Sequence, residues 1–158
     1  MKTIVDYAEK DNAEAIINLL SSGQNINLFE YGRSALHAAC VSNAITSAEL
    51  LIKRGIDVNL RDEHTGATAL HYCATYNYFE MAKMILQNHG RLDIADNYGN
   101  EPLWTSVFNV KGNIDKIPIV DLFLKHGADK YHKNNVSKCP FDFTERVKFQ
   151  PLLELLNK

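Results

Sequence analysis

The sequence predicts an all-α solenoid: about five helix-turn-helix units, joined by β-hairpin-like loops and stacked side by side. Three observations predict it. A helix-opening signal occurs twice, as Ser34-Ala35-Leu36-His37 and as Thr68-Ala69-Leu70-His71. The glycines ahead of three successive units, Gly32, Gly66 and Gly99, lie 34 and then 33 residues apart. Each of these units also closes on glycine, at Gly55, at His89-Gly90 and at Gly127. A fixed period of this length marks units that cannot bury an apolar face alone and must stack to do so. The 158 residues, 46% apolar and 23% charged, suit a single domain spanning 1–158.

The period divides the chain into units 1–28, 29–62, 63–95, 96–132 and 133–158, the first and last degenerate, as capping units are. In the first, Asp11-Asn12-Ala13-Glu14 through Gly23 reads as a second helix. In the next two, Ser34 and Thr68 stand where a hydroxyl can accept from a free amide at a helix start. Pro102 and Pro140 take the first helical position, where a missing N–H costs nothing. Leu36, Leu70, Leu103 and Phe141 follow as core residues, and the small Ala38-Ala39-Cys40 and Cys73-Ala74 permit close helix approach. The second helices show apolar residues at helical spacing: Ala48, Leu51 and Ile52; Met81, Ile85 and Leu86; Val120, Phe123 and Leu124. Gly55 and Gly127 end two of them, and His89-Gly90 reads as a shifted stop in the third. Leu152 to Leu156 supplies the closing apolar face.

Gly66-Ala67-Thr68-Ala69-Leu70-His71 and Leu124-Lys125-His126-Gly127-Ala128-Asp129 resemble the ankyrin-repeat patterns Gly-x-Thr-Pro-Leu-His and Leu-Leu-x-x-Gly-Ala-Asp. The resemblance covers almost the whole chain. It implies that His37 and His71 tie the hydroxyls of Ser34 and Thr68 to turn backbone. It also implies that hairpin tips and first helices line a concave face.

The fourth unit departs most from the pattern. Trp104 replaces the histidine and Glu101 the hydroxyl residue, so the hydrogen-bond network is expected to be absent there. The connection 109–118 is about five residues longer than its counterparts and carries Gly112 and Pro118. It reads either as a recognition element or as a tolerated surface insertion.

Several kinds of chemistry find no support. Formal charge is −2 with no basic half, which argues against nucleic acid. Acidic residues interrupt the N-terminal stretch before any signal-peptide core, and no apolar run reaches transmembrane length. Three dispersed cysteines argue against a disulfide framework and for a reducing cytoplasm. The His37/Cys40 and His71/Cys73 pairs lack zinc-ligand spacing, and no cofactor motif occurs, so neither metal nor cofactor is expected. Asp57, Asp93 and Asp129 recur with the hairpins, as turn residues do and catalytic carboxylates do not.

What remains is a surface. In repeat register, Tyr31 and Arg33, then His64, then Tyr98 belong to successive tips, while Tyr76 and Phe108 face outward from first helices. With Trp104, these are the candidate partner-binding residues, because aromatics and arginine dominate binding hot spots. Tyr31, Tyr76, Tyr98 and Phe108 are expected to converge on one side. The interleaved charges Glu30, Arg33, Arg61, Asp62, Glu63 and His64 carry both signs, which suits a mixed-charge protein surface. With no second domain expected, the reading is a non-enzymatic binder, monomeric when free, that docks one protein and acts as a stoichiometric inhibitor. An immunity protein masking a toxin is its sharpest form. A scaffold bridging two proteins, a secreted bacterial effector and a cryptic enzyme remain open as alternatives.

Overall fold

The computed structural model describes residues 2–158 and contains ten α-helices in five antiparallel pairs. These are α1 (Ile4–Glu9) with α2 (Ala13–Ser21), α3 (Ala35–Ser42) with α4 (Ile45–Lys53), and α5 (Ala69–Tyr76) with α6 (Phe79–Gln87). The series continues with α7 (Pro102–Val110) and α8 (Ile117–Lys125), then α9 (Pro140–Val147) and α10 (Gln150–Leu156). The first helix of each pair packs on the first helix of the next, and second helices stack likewise, so two helical layers run the length of the molecule. This is an all-α ankyrin-type solenoid.

The core lies between the layers. Ile4, Leu36, Leu70 and Leu103 from first helices meet Ile16, Leu51, Met81, Ile85 and Phe123 from second helices, all essentially inaccessible to solvent. Removing this apolar surface from water is the main stabilising term. Small side chains keep neighbouring first helices close: Cys40 and Cys73 are wholly buried, and their Sγ atoms lie 4.0 Å apart across α3 and α5.

The first helices of the last four pairs end on a left-handed residue, Asn43 (φ 53°), Asn77 (φ 61°), Lys111 (φ 47°) and Lys148 (φ 54°), and after α1 it is Asp11 (φ 53°). Second helices end similarly at Gly23, Gly55 and Gly127. In the third pair the stop is not shifted, contrary to the sequence reading. His89 occupies the same slot at φ 68°, and the glycine stands one residue later because a Cβ at Gly90 would strike the Ile85 side chain and carbonyl.

The hairpins also differ from a uniform pattern. Phe29–Glu30 and Arg33–Ser34 form a two-stranded antiparallel ribbon, with Glu30 opposite Arg33. The later tips are turns closed by single bonds, such as Asp62 N–H to the Ala67 carbonyl at 2.8 Å. Successive tips are joined by backbone bonds: Glu63 N–H donates to Gly32 O (2.9 Å), Asn97 N–H to Thr65 O (2.8 Å) and Asn135 N–H to Tyr98 O (3.0 Å). The inserted connection is shorter than expected. Asn109 and Val110 belong to α7 and Pro118 to the first turn of α8, which leaves 111–116, half of it a 3-10 turn.

Candidate functional site

Two units build the site around buried histidines. Ser34 N–H donates to His37 Nδ1 at 3.2 Å, and the Ser34 hydroxyl lies 2.8 Å from the same nitrogen. His37 Nε2, left with the proton, donates to the Leu60 carbonyl at 3.1 Å. The pattern repeats at Thr68, whose N–H and hydroxyl both lie 3.0 Å from His71 Nδ1, while His71 Nε2 reaches the Asn100 carbonyl at 2.9 Å. Each ring therefore satisfies a helix N-terminus and clamps the following hairpin. Burial pushes His37 down to about 4 despite the pull of the Asp62 carboxylate, and burial lowers His71 too. Both rings are held neutral at pH 7.

The sequence counted Asp62 among surface charges, but it is buried. Its carboxylate accepts from the N–H groups of His64 (2.8 Å), Thr65 (2.7 Å) and Ala67 (3.0 Å) and from the Thr65 hydroxyl (2.6 Å). Burial alone would raise this carboxyl; the Thr65 hydroxyl and the three amides outweigh it and hold it below the usual range. Asp62 thus sets the hairpin that carries His64. The His64 ring in turn bonds the Tyr31 carbonyl at 3.0 Å and fills the space over Gly32, where a Cβ would collide with it.

In the fourth unit the histidine–hydroxyl network is absent, as the sequence implied, but a different one replaces it. Glu101 is buried, and its Oε1 lies 3.2 Å from Nδ1 of His132, whose Nε2 contacts the Gly99 carbonyl at 3.0 Å. Burial raises the Glu101 carboxyl, and His132 only partly counters this. The clamp between units survives with its histidine moved to the following hairpin. Trp104, freed from capping, packs tilted against Phe143 at 5.7 Å between ring centroids, and Phe108 meets the same ring at 5.6 Å.

The expected binding residues do not form one patch. Tyr76 and Tyr98 line one groove of about 270 Å³, floored by Tyr72, Thr75 and Thr105. Both rings are open to solvent, at 45% and 65% exposure. Tyr76 also stacks on Tyr78 at 5.6 Å. Tyr31, 76% exposed, shares its tip with Arg33, and its carbonyl meets the His64 ring of the next tip, which separates it from Tyr98. Phe108 and Trp104 belong instead to the aromatic cluster with Phe143 between α7 and α9. Sequence reasoning missed Tyr72 and Phe143. They share one register position, two residues after the Leu70 and Phe141 core positions, and that equivalence was the available signal. No helix among the described residues is long and apolar enough to cross a membrane.

Comparison with known proteins agrees with this architecture. Residues 36–86 match the family described as ankyrin repeats (many copies). The ankyrin repeat protein L371 of Acanthamoeba polyphaga mimivirus is 30% identical over 125 residues, 78% of this chain and 16% of that protein. Human neurogenic locus notch homolog protein 1 is 29% identical over 136 residues, 84% of this chain and 5% of its own length. The ADP-ribosylation factor GTPase-activating protein AGD2 of Arabidopsis thaliana is 41% identical over 68 residues, 43% of this chain and 9% of that protein. The chain thus spans less than a fifth of each of these relatives. Ankyrin repeats generally mediate protein–protein interaction. The period, the paired helices, the histidine clamps and these matches agree: this chain is an ankyrin-repeat protein.

Proposed function

We propose that this chain is a non-enzymatic module that docks a protein partner in the groove between hairpin tips and first helices, with Tyr76 and Tyr98 as anchors. The observation that carries the reading is their joint exposure over that groove. Both rings stand on a backbone already held by the Asp62, His71 and inter-tip bonds, so little ordering cost accompanies docking. Tyrosines on a rigid support are common hot spots, and the polar Thr65 and Asp96 supply a hydrogen-bonding rim. We further propose that the output is occlusion: the module acts in the cytoplasm as a stoichiometric inhibitor, of which an immunity protein covering a toxin is the most demanding form.

A photo-cross-linking residue at position 98, paired with one at position 83 on α6 as the opposite-face control, tests the groove in lysate of the native source. A partner trapped from position 98 alone is expected. Its affinity for a Tyr76→Ala/Tyr98→Ala variant should fall by roughly 2 kcal/mol or more, about thirtyfold. Equal trapping from both positions, or equal affinity for a variant with an unchanged melting temperature, would remove the proposal.

A further inference from the structure

A second cleft, separate from the tyrosine groove, lies where α7, α9 and the start of α10 meet. Its volume is about 500 Å³, within the ordinary range for ligand sites. Val107, Phe108, Phe143, Val147, Phe149 and Leu152 form its walls, and Phe108 and Val147 are nearly half exposed. Among the described residues lining it, Lys111 and Lys148 alone are charged, and no carboxylate faces them there. The Lys111 ammonium sits 5.8 Å from the centre of the Phe108 ring. An apolar cleft with two unopposed cations, in a chain of net charge −2, has a defined complement.

The two lysines carry a second mark. Both hold the left-handed residue that ends a first helix, the place taken by Asn43 and Asn77 in the second and third pairs. Asparagine tolerates that conformation and lysine does not favour it. A helix C-terminus attracts cations, but α3 and α5 present the same dipole and keep asparagine. Among the first helices, where Asp11 holds the slot after α1, that preference is abandoned only at the two ends that border the cleft, as expected where a surface has another use.

We propose that this cleft is a second binding site, for an acidic segment of a partner polypeptide. A large apolar side chain enters between Phe108 and Phe143, and flanking Asp or Glu carboxylates pair with Lys111 and Lys148. The two cations belong to different helices and so ask for two carboxylates spaced along an extended chain; a fatty acid offers only one. The site does not depend on the Tyr76–Tyr98 groove.

The test is selection of a random dodecapeptide display library on the folded chain, followed by synthesis of the enriched peptides. Enriched sequences should place Asp or Glu beside Phe, Leu, Ile or Trp. The synthetic peptide should shift the methyl resonances of Val107, Val147 and Leu152. A Lys111→Asn/Lys148→Asn variant, which installs the residue already used at the equivalent ends, should stay folded and bind roughly tenfold or more weakly. The Tyr76→Ala/Tyr98→Ala variant should bind unchanged. Affinity for the wild-type chain should also fall in about 1 M salt, where charges are screened beyond a few ångströms. Enriched peptides without acidic residues, binding indifferent to salt and to the lysines, or shifts of the same methyls by dodecanoate but by no acidic peptide would each overturn the proposal.

Discussion

The units carrying α3 to α6 and those carrying α7 to α10 share one backbone plan but fill the same register differently. Where the first two have His37 and His71, the later ones have Trp104 and Asp142; where the first two cap with Ser34 and Thr68, the later ones cap with Glu101 and Cys139. In the regular units the histidine ring is consumed by structure, closing a helix end and gripping the next hairpin. In the fourth unit the grip passes to His132 and Glu101, and the released position holds Trp104 in an aromatic cluster beside an open cleft. A repeat can therefore surrender its signature residues without losing its stacking, provided that another pair bridges the units. The positions given up become available for contact.

Acid titration probes this contrast most strongly. Burial lowers the folded pKa of His37 to about 4, whereas the unfolded chain takes up its proton near 6.5. The contribution is whole above pH 6.5 and is lost as pH falls toward 4. The loss from His37 is roughly 3 kcal/mol, and His71 adds to it in the same direction. Urea unfolding over that range should show the slope, and His37→Gln should flatten it. Glu101 acts oppositely. Its raised pKa means that the folded state gains a proton first, so its effect on acidification is stabilising. Glu101→Gln should therefore steepen the acid loss; an unchanged slope would mean that burial does not hold the Glu101 carboxyl above its ordinary range.

Mutation at the equivalent position sharpens the same comparison. His71→Ala leaves the Thr68 N–H and the Asn100 carbonyl without their partner and should cost about 2–3 kcal/mol. Trp104→Leu keeps much of the half-buried apolar surface, loses the ring contact with Phe143 and should cost about 1 kcal/mol in the same denaturation experiment. Equal costs would erase the distinction between a structural and a released position.

The smallest effect concerns the third helix stop. His89→Gly relieves a left-handed backbone at a residue with a Cβ and should gain about 0.5–1 kcal/mol, read as a rise in the urea midpoint. Gly90→Ala should do the reverse, because its new Cβ meets Ile85. A destabilised His89→Gly variant would show that the imidazole, not the backbone, matters there.

The architecture was legible because its rules are local. Helix openings at Ser34, Thr68, Pro102 and Pro140, the apolar spacing of the second helices and most glycine stops follow from bonds and torsions within a few residues. The candidate face was only half legible. Repeat register correctly projected Tyr76 and Tyr98 outward, yet it grouped Phe108 with them, although that ring turns to Phe143 in the next unit. Asp62 looked like a surface charge because its burial depends on how its own hairpin folds over it.

By itself, the chain's residue order determined the period, the pairing of helices and the identity of the core, since these rest on short-range torsional and hydrogen-bond preferences and on apolar spacing. Tertiary stacking alone decided that His132 would meet Glu101 from 31 residues away, that Trp104 and Phe108 would share Phe143, and that Lys111 and Lys148 would border one cleft. Those meetings depend on the offset between neighbouring units, a sum of many packing contacts that no single repeat encodes.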